Sequence, residues 1–480
     1  MTTMTTRSIL DGEEPEADRV GRIEVRGIDV IPEEDRHGSP RELFWVWLSS
    51  NTAFIYILLG GILVLLGLNL WQALLVAVVG NLAYALIGVV ATAGPTAGTS
   101  TLMISRAQYG TEGNRISAFL SWFSLVAFEA VNLSIGAFAL FALADFSGWH
   151  VGNGGKALLL ALIVVVTFGT AILGHATVVL FQKTFAYGLA AAAILLFIFV
   201  IPHVHWSYAP KNPLHGGQAL AMVLLGLTVI LSGPLSWIPT PADYSRYLPR
   251  SSSAFKIGAF TTLGAIVPAI ALTVLGVLAG TAVNMTDPQS SMKPLMPHWF
   301  YGPFLLVICG GSITNNVLGV YSSGLSLQTA GLRIPRYLAV LIDATLGTAM
   351  AVYAIFISNF LTTMQEFLQM MIFWYAPYTA ILVVDVLLRR RQYDGAELHV
   401  RAGRYGAFNW RGLTALALGA ATAALLANTP HWQGPIVTHL DGADLSALGG
   451  MIVAGAAYWL LEHTRIRAAV DQPIPALELG

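Results

Sequence analysis

Charge is what this chain has least of. Only 11% of its 480 residues are Asp, Glu, Lys or Arg, while 55% are hydrophobic; an ordinary soluble domain carries about a quarter charged residues. There is one cysteine, Cys309, inside an apolar segment, which excludes an intrachain disulfide and a cysteine metal cluster. The formal net charge is −1, so an electrostatic nucleic-acid binder is excluded too. No Gly-rich phosphate loop with its lysine, no His-rich metal pattern and no Ser-His-Asp set can be placed, and the eleven histidines are scattered. Neither an enzyme nor a cofactor is expected. Residues 1–42 are polar and acidic and lack the basic start, apolar stretch and small-residue site of a signal peptide.

Long apolar runs are what the chain has in abundance. Mean hydropathy is +0.67. Twelve segments of spanning length can be marked: 43–68, 71–93, 115–144, 157–174, 180–201, 218–240, 255–283, 300–328, 336–357, 361–388, 412–428 and 446–463. The expectation is an all-α integral membrane protein with twelve transmembrane helices. A cytoplasmic tail (1–42) precedes a first group of five (43–201), and a Pro/His-rich loop (202–217) separates it from a second group of five (218–388). Two further helices (412–464) and a C-terminal tail (465–480) follow. With the N-terminus inside, 22 of the 25 basic residues fall on the inner side and only Lys156, Lys211 and Lys293 outside. The positive-inside rule then puts both termini in the cytoplasm, in a plasma (inner) membrane. Two successive groups of five spans must be inverted relative to each other, which makes the first and sixth spans equivalent partners.

The sixth span reads GLTVILSGPLSWIPTPADYSRYLPR over 226–250, with Ser232, Gly233, Pro234, Ser236, Pro239 and Pro241 in its second part. Proline removes a donor and clashes with the preceding turn, so a break within 232–237 is expected. In a bilayer, freed backbone groups are tolerated where they face protein or a cavity, and such broken helices point to transporter binding sites. A Pro-kinked structural helix is the competing reading. LSSNTAF at 48–54, containing Ser49, Ser50 and Asn51, lies at the corresponding depth of the first span.

Span three carries Phe128, Glu129 and Asn132. Phe128 and Asn132 share a helix face, where an aromatic plane beside an amide can hold a flat heterocycle and bond its edge. Core packing and helix–helix glue account for the same two residues. An intramembrane carboxyl such as Glu129 usually marks an ion or proton path; a neutral structural acid is the alternative. Span eight, GGSITNNVLGVYSSGLSLQ, crowds Thr314, Asn315, Asn316, Tyr321, Ser322 and Ser323 onto one helix, more polarity than close packing of small residues requires. Asp243 and Arg246 are read as a helix-end salt bridge with a structural or gating role. Asp343 and Asp385 carry no assignment.

Four stretches resemble the nucleobase–cation symporter family one, in its purine–cytosine permease branch. They are GIDVIPEEDRHGSPRELFWVWLSSN, GPTAGTSTLMISRAQYGTEGNRISAFLSW, PTPADYSRYLP and ITNNVLGVYSSGLSLQ, in family order across 27–328. The resemblance implies a LeuT-like five-plus-five inverted repeat with discontinuous helices 1 and 6 and two extra helices. It also implies uptake of a flat nitrogen heterocycle, a small-molecule nucleobase, by alternating access coupled to a cation. Family substrate contacts fall on Phe128 and Asn132 and on Ser49, Ser50 and Asn51; fungal-type relatives carry an Asn-Asn pair followed by Tyr-Ser, as Asn315, Asn316, Tyr321 and Ser322 stand here, and the asparagine pair is read as substrate-binding too. The family's second aromatic falls on Pro234, a departure that leaves Ser236 to offer a hydrogen bond, with Gly233 beside the break and Trp237 as a substitute plane. The hydroxyl pair of sodium-dependent relatives falls on Ile313 and Thr314, so one sodium ligand is missing. A further asparagine of fungal relatives falls on Gly319. With Glu129 in the membrane, a proton is the expected coupling ion ahead of sodium, with Thr314 kept as an ion-site residue. Alternatives are a symporter for uracil, allantoin, a hydantoin or a pyridoxine-like vitamin, and a non-transporting membrane receptor for a base. A monomer or weak oligomer in the lipid bilayer is expected.

Overall fold

The computed structural model describes residue 21, residues 27–173 and residues 175–470. Most of the expected N-terminal tail, and 471–480 of the C-terminal one, lie outside the described residues. The architecture is all-helical, with an isolated bridge between Asn428 and Gln433 as its extended pairing. In chain order the principal helices begin with α1 (Pro40–Asn51), α2 (Phe54–Leu65), α3 (Leu70–Asn81), α4 (Ala85–Ala91) and α5 (Asn114–Phe146). Then come α6 (Asn153–Ile172), α7 (His175–Val200), α8 (Gly216–Trp237), α9 (Pro241–Ser245) and α10 (Ala254–Gly280). The last five are α11 (His298–Thr329), α12 (Arg336–Phe356), α13 (Phe360–Leu388), α14 (Trp410–Leu425) and α15 (Ser446–Val470).

Helix starts follow local chemistry. Asn69 and Gln72 close a reciprocal capping box on α3, and Ser253, Asn359 and Asn409 cap α10, α13 and α14 through their side chains. Each satisfies a backbone donor that a helix start leaves free.

Among the described residues nine helices are long and apolar enough to cross a membrane, or ten when α1 and α2 count as one span bent by 54°. The expected eleventh and twelfth spans correspond to α14 and α15, which do not meet that description. α14 has 16 residues, about 24 Å at the helical rise, against a hydrocarbon core of about 30 Å. α15 carries Glu462, His463, Arg465 and Arg467 in its last third.

The long helices α5 and α11 form the centre: 78% of the most apolar stretch of each is buried, against 28% and 22% for the peripheral α6 and α7. The backbones of α2 and α10 touch. A methyl at Gly60 would lie 2.0 Å from Thr273 O, and one at Gly276 2.1 Å from Ile57 O. That contact sets the depth and rotation of α2, whose N-terminal turn reaches the cavity described next.

The break in the first span falls a few residues later than the sequence placed it, and the sixth span, 216–245, has no bend of more than 40°. Ser49, Ser50 and Asn51 are the last turn of α1, and the chain leaves the helix at Thr52 and Ala53. Gly233, Pro234, Ser236 and Trp237 are all helical, and α8 ends at Trp237, ahead of the short α9. A proline removes one amide from a helix, here the partner of Ile230 O, and kinks it without having to end it. Ser232 Oγ donates to Val229 O and Ser236 Oγ to Gly233 O at 2.7 Å, so both hydroxyls are turned onto their own helix.

Candidate functional site

α2, α5, α8, α11 and α13 line a partly open cavity with about 510 Å³ of atom-free space, its open mouth included. Of the residues singled out from the sequence, Phe128, Glu129, Ser232, Gly233, Ser236, Trp237, Asn315 and Asn316 line it. Asn132, Ser49, Ser50, Asn51, Pro234, Thr314, Asp243 and Arg246 are not part of that lining.

Two aromatic rings face the space from different helices. Phe128 is half-buried and meets Phe367 of α13 edge-on at 5.2 Å. Trp237, buried at the end of α8, packs edge-on against Trp47 at 5.5 Å. Each ring is held by an edge contact, which fixes its plane and leaves a face for another flat group.

The amides are tied to the end of α1. Asn315 Nδ2 donates to Ser50 O at 2.8 Å, and its Oδ1 accepts from Asn132 Nδ2 at 2.9 Å. Asn132 Nδ2 also reaches Phe128 O at 3.0 Å. Asn132 thus stands behind Asn315 and orients it. Thr314 Oγ1 lies 3.4 Å from Ser49 O, and Gln182 Nε2 of α7 donates to Thr314 O at 2.7 Å. The last carbonyls of a helix have no intrahelical donor, so the end of α1 presents Ser49 O and Ser50 O to α11. Gly311 allows the approach, since a methyl there would sit 2.9 Å from Thr52 O.

Glu129 is 1% exposed, and neither carboxyl oxygen has a hydrogen-bond partner among the described residues. Asn316 Nδ2 donates to the Glu129 backbone carbonyl at 3.1 Å. An isolated charge in such a place is costly.

Below the cavity, Asp243 Oδ1 accepts from the amide and the hydroxyl of Thr101 at 2.8 and 3.1 Å. Arg246 donates to Gly27 O at 2.7 Å and to Tyr321 Oη at 3.0 Å. Tyr244 Oη donates to Leu318 O at 2.6 Å. These contacts tie α9 to the 27–101 region and to α11 beneath the lining.

Sequence reasoning missed Ile55, Tyr56 and Leu59 on α2, Leu125 on α5 and Leu368 on α13. Tyr56 bonds Asn51 Oδ1 and the hydroxyl of Tyr84. A lone hydroxyl in the apolar run FIYILLGGILVL was the available signal. Gly319 also lines the cavity, and a methyl there would meet nothing within 4 Å.

A helical membrane bundle built on a bent first span, with an aromatic and amide cavity beside it, is the architecture of a LeuT-like carrier. Residues 30–450 match the family model for permeases for cytosine/purines, uracil, thiamine and allantoin, and the chain belongs to that family, the nucleobase–cation symporters. It is a permease and not an enzyme. YxlA of Bacillus subtilis, provisionally named a purine–cytosine permease, is 28% identical over 95% of this chain and 100% of its own length. The vitamin B6 transporter TPN1 of Saccharomyces cerevisiae is 24% identical over 77% of this chain and 66% of its own. Among solved structures, Mhp1, a nucleobase-cation-symport-1 transporter in a closed conformation with bromovinylhydantoin bound, superposes with a TM-score of 0.73. It covers 92% of this chain and 95% of its own at 16% identity, a likeness of fold.

Proposed function

We propose that this permease imports a purine base or cytosine by proton symport through alternating access. The observation that carries the reading is the cavity itself: the rings of Phe128 and Trp237, the amides of Asn315 and Asn316 and the unpartnered carboxyl of Glu129 meet around one space. In this reading Phe128 stacks on the base, while Ser236 and Asn316 bond its edge. Asn132 holds Asn315 in place, and the carbonyls of Ser49 and Ser50 add their dipoles. Glu129 carries the proton, and Asp243 and Arg246 belong to the inner gate. The chain would have twelve spans in a five-plus-five inverted repeat, α14 and α15 supplying the last two, with both termini cytoplasmic in the plasma membrane.

A second reading keeps the transporter and changes the cargo to a uracil-, allantoin-, hydantoin- or pyridoxine-like ring. The relative named a vitamin B6 transporter and the hydantoin bound in Mhp1 favour it. Sodium coupling would place the ion by Thr314 and Ser49 O; against it stand Ile313 next door and the Gln182 amide already on Thr314 O.

Exchange of labelled hypoxanthine and cytosine in proteoliposomes, with unlabelled competitors, tests the proposal. Exchange suppressed by purines or cytosine is expected. Exchange of pyridoxine or a hydantoin, with neither base competing, would move the substrate to the second reading.

A further inference from the structure

Glu129 is not the only acid buried in the bundle that the proposed function has to account for. Asp343 of α12 is fully buried and has no role so far. Its surroundings are the reverse of those at Glu129. Trp122 Nε1 donates to Oδ1 at 2.7 Å, and the Ser323 hydroxyl donates to Oδ2. Both oxygens are met by donors, an arrangement that stabilises a carboxylate. Glu129 has equal burial and a donor on neither oxygen. One acid is placed to be charged and the other to be neutral.

The two are neighbours. Trp122 and Glu129 are seven residues apart on α5, two turns along one face. On α12, Gly347 stands four residues after Asp343, and a methyl on it would lie 3.6 Å from Glu129 Oε2. The Glu129 carboxyl therefore lies against α12 one turn from Asp343, a rise of about 6 Å. Ser323, the donor on Asp343 Oδ2, sits on α11 seven residues after Asn316.

The other helices packed on α12 bring little that titrates. The one charged residue of α6, Lys156, is in its first turn. α11 brings Tyr321, whose hydroxyl accepts from Arg246. α13 carries Glu366, paired with His431 at 3.2 Å, Tyr375, Tyr378, and Asp385, held by Arg389 at 2.9 Å.

We propose that Asp343 is the second proton site of this permease, receiving the proton of Glu129 and releasing it towards the cytoplasm. The Glu129 O–H bond breaks and leaves a carboxylate at the cavity. A new O–H bond forms on Asp343 and neutralises it, so the pair keeps one negative charge throughout. Asp343 is nearer the start of α12, the inner end in the proposed orientation, so loss of the proton to inner-side water restores its carboxylate. The inference rests on the proposed proton coupling at Glu129.

The test uses purified full-length protein in proteoliposomes, with labelled hypoxanthine and cytosine, as wild type, Asp343→Asn and Asp343→Glu. Exchange at equal pH is measured beside net accumulation under an imposed pH gradient, with potassium equal on both sides and valinomycin present. One proton per base and one pH unit give about tenfold accumulation at equilibrium. Asp343→Asn is expected to exchange base at close to the wild-type rate and to lose accumulation, and Asp343→Glu to regain it. Wild-type accumulation in Asp343→Asn would overturn the assignment. So would loss of exchange and accumulation together in both variants, which would make Asp343 an anchor for Trp122 and Ser323. Wild type that exchanges base without responding to the pH gradient would remove the proton reading and this assignment with it. Wild type that exchanges neither base would instead overturn the proposed substrate.

Discussion

Replacing Phe128 with alanine separates a stacking residue from a packing one. The ring is half-buried, touches Phe367 edge-on at 5.2 Å and lines the cavity. Base–aromatic stacking is worth about 1–3 kcal/mol by alanine substitution. At about 1.4 kcal/mol per tenfold, Phe128→Ala should weaken base affinity about 5- to 150-fold. The fold also loses about 0.5–1.5 kcal/mol for the aromatic pair, on top of the area that the half-buried ring covers. Binding of labelled base to purified protein measures the first effect, and thermal unfolding in the same detergent the second. Phe128→Trp keeps a plane at the site and should retain most of the affinity. Wild-type affinity in Phe128→Ala, or equal losses in the alanine and tryptophan variants, would refute the stacking argument.

Gly276→Ala drives a methyl to within 2.1 Å of the Ile57 carbonyl; overpacking of this kind costs about 1–3 kcal/mol, so a lower unfolding temperature is expected. An unchanged one would mean that α2 and α10 can part freely. Asp385→Asn should be more severe, because Asp385 accepts from Arg389 at 2.9 Å, from Tyr393 and Tyr458 at 2.7 Å each, and from Gln108. Removing one partner of a buried pair costs about 3–5 kcal/mol, and loss of monodisperse protein in size-exclusion chromatography is the outcome to look for. Gly319→Asn meets open space at its first carbon, so the variant should fold normally and shift the ranking of competing bases; an unaltered ranking would place position 319 outside the substrate's reach.

Span positions were legible because apolar length is a direct consequence of bilayer thickness. The expected 115–144, 300–328 and 361–388 correspond to Asn114–Phe146, His298–Thr329 and Phe360–Leu388. The breaks were less so. Proline and glycine mark where a helix is weak, but whether it opens there depends on the packing around it, and at Pro234 the helix runs on to Trp237. Polar and aromatic residues at unusual depth, Phe128, Glu129, Asn315, Asn316 and Trp237, were visible as anomalies in an apolar chain. The apolar wall from Ile55, Leu59, Leu125 and Leu368 was not, since nothing distinguishes a leucine facing a cavity from one facing another helix. The pairing of Asp343 with Trp122 and Ser323 joins three helices over separations of 221 and 20 residues. No local pattern carries that.

The central claim is that a base moves through the Phe128 and Trp237 cavity on a proton. Accumulation of hypoxanthine or cytosine in proteoliposomes, driven separately by a pH gradient and by a sodium gradient, addresses it most directly. Accumulation on the pH gradient alone, abolished in Glu129→Gln, is the predicted result. Accumulation that requires sodium and survives Glu129→Gln would contradict it and move the coupling site to Thr314 and the end of α1.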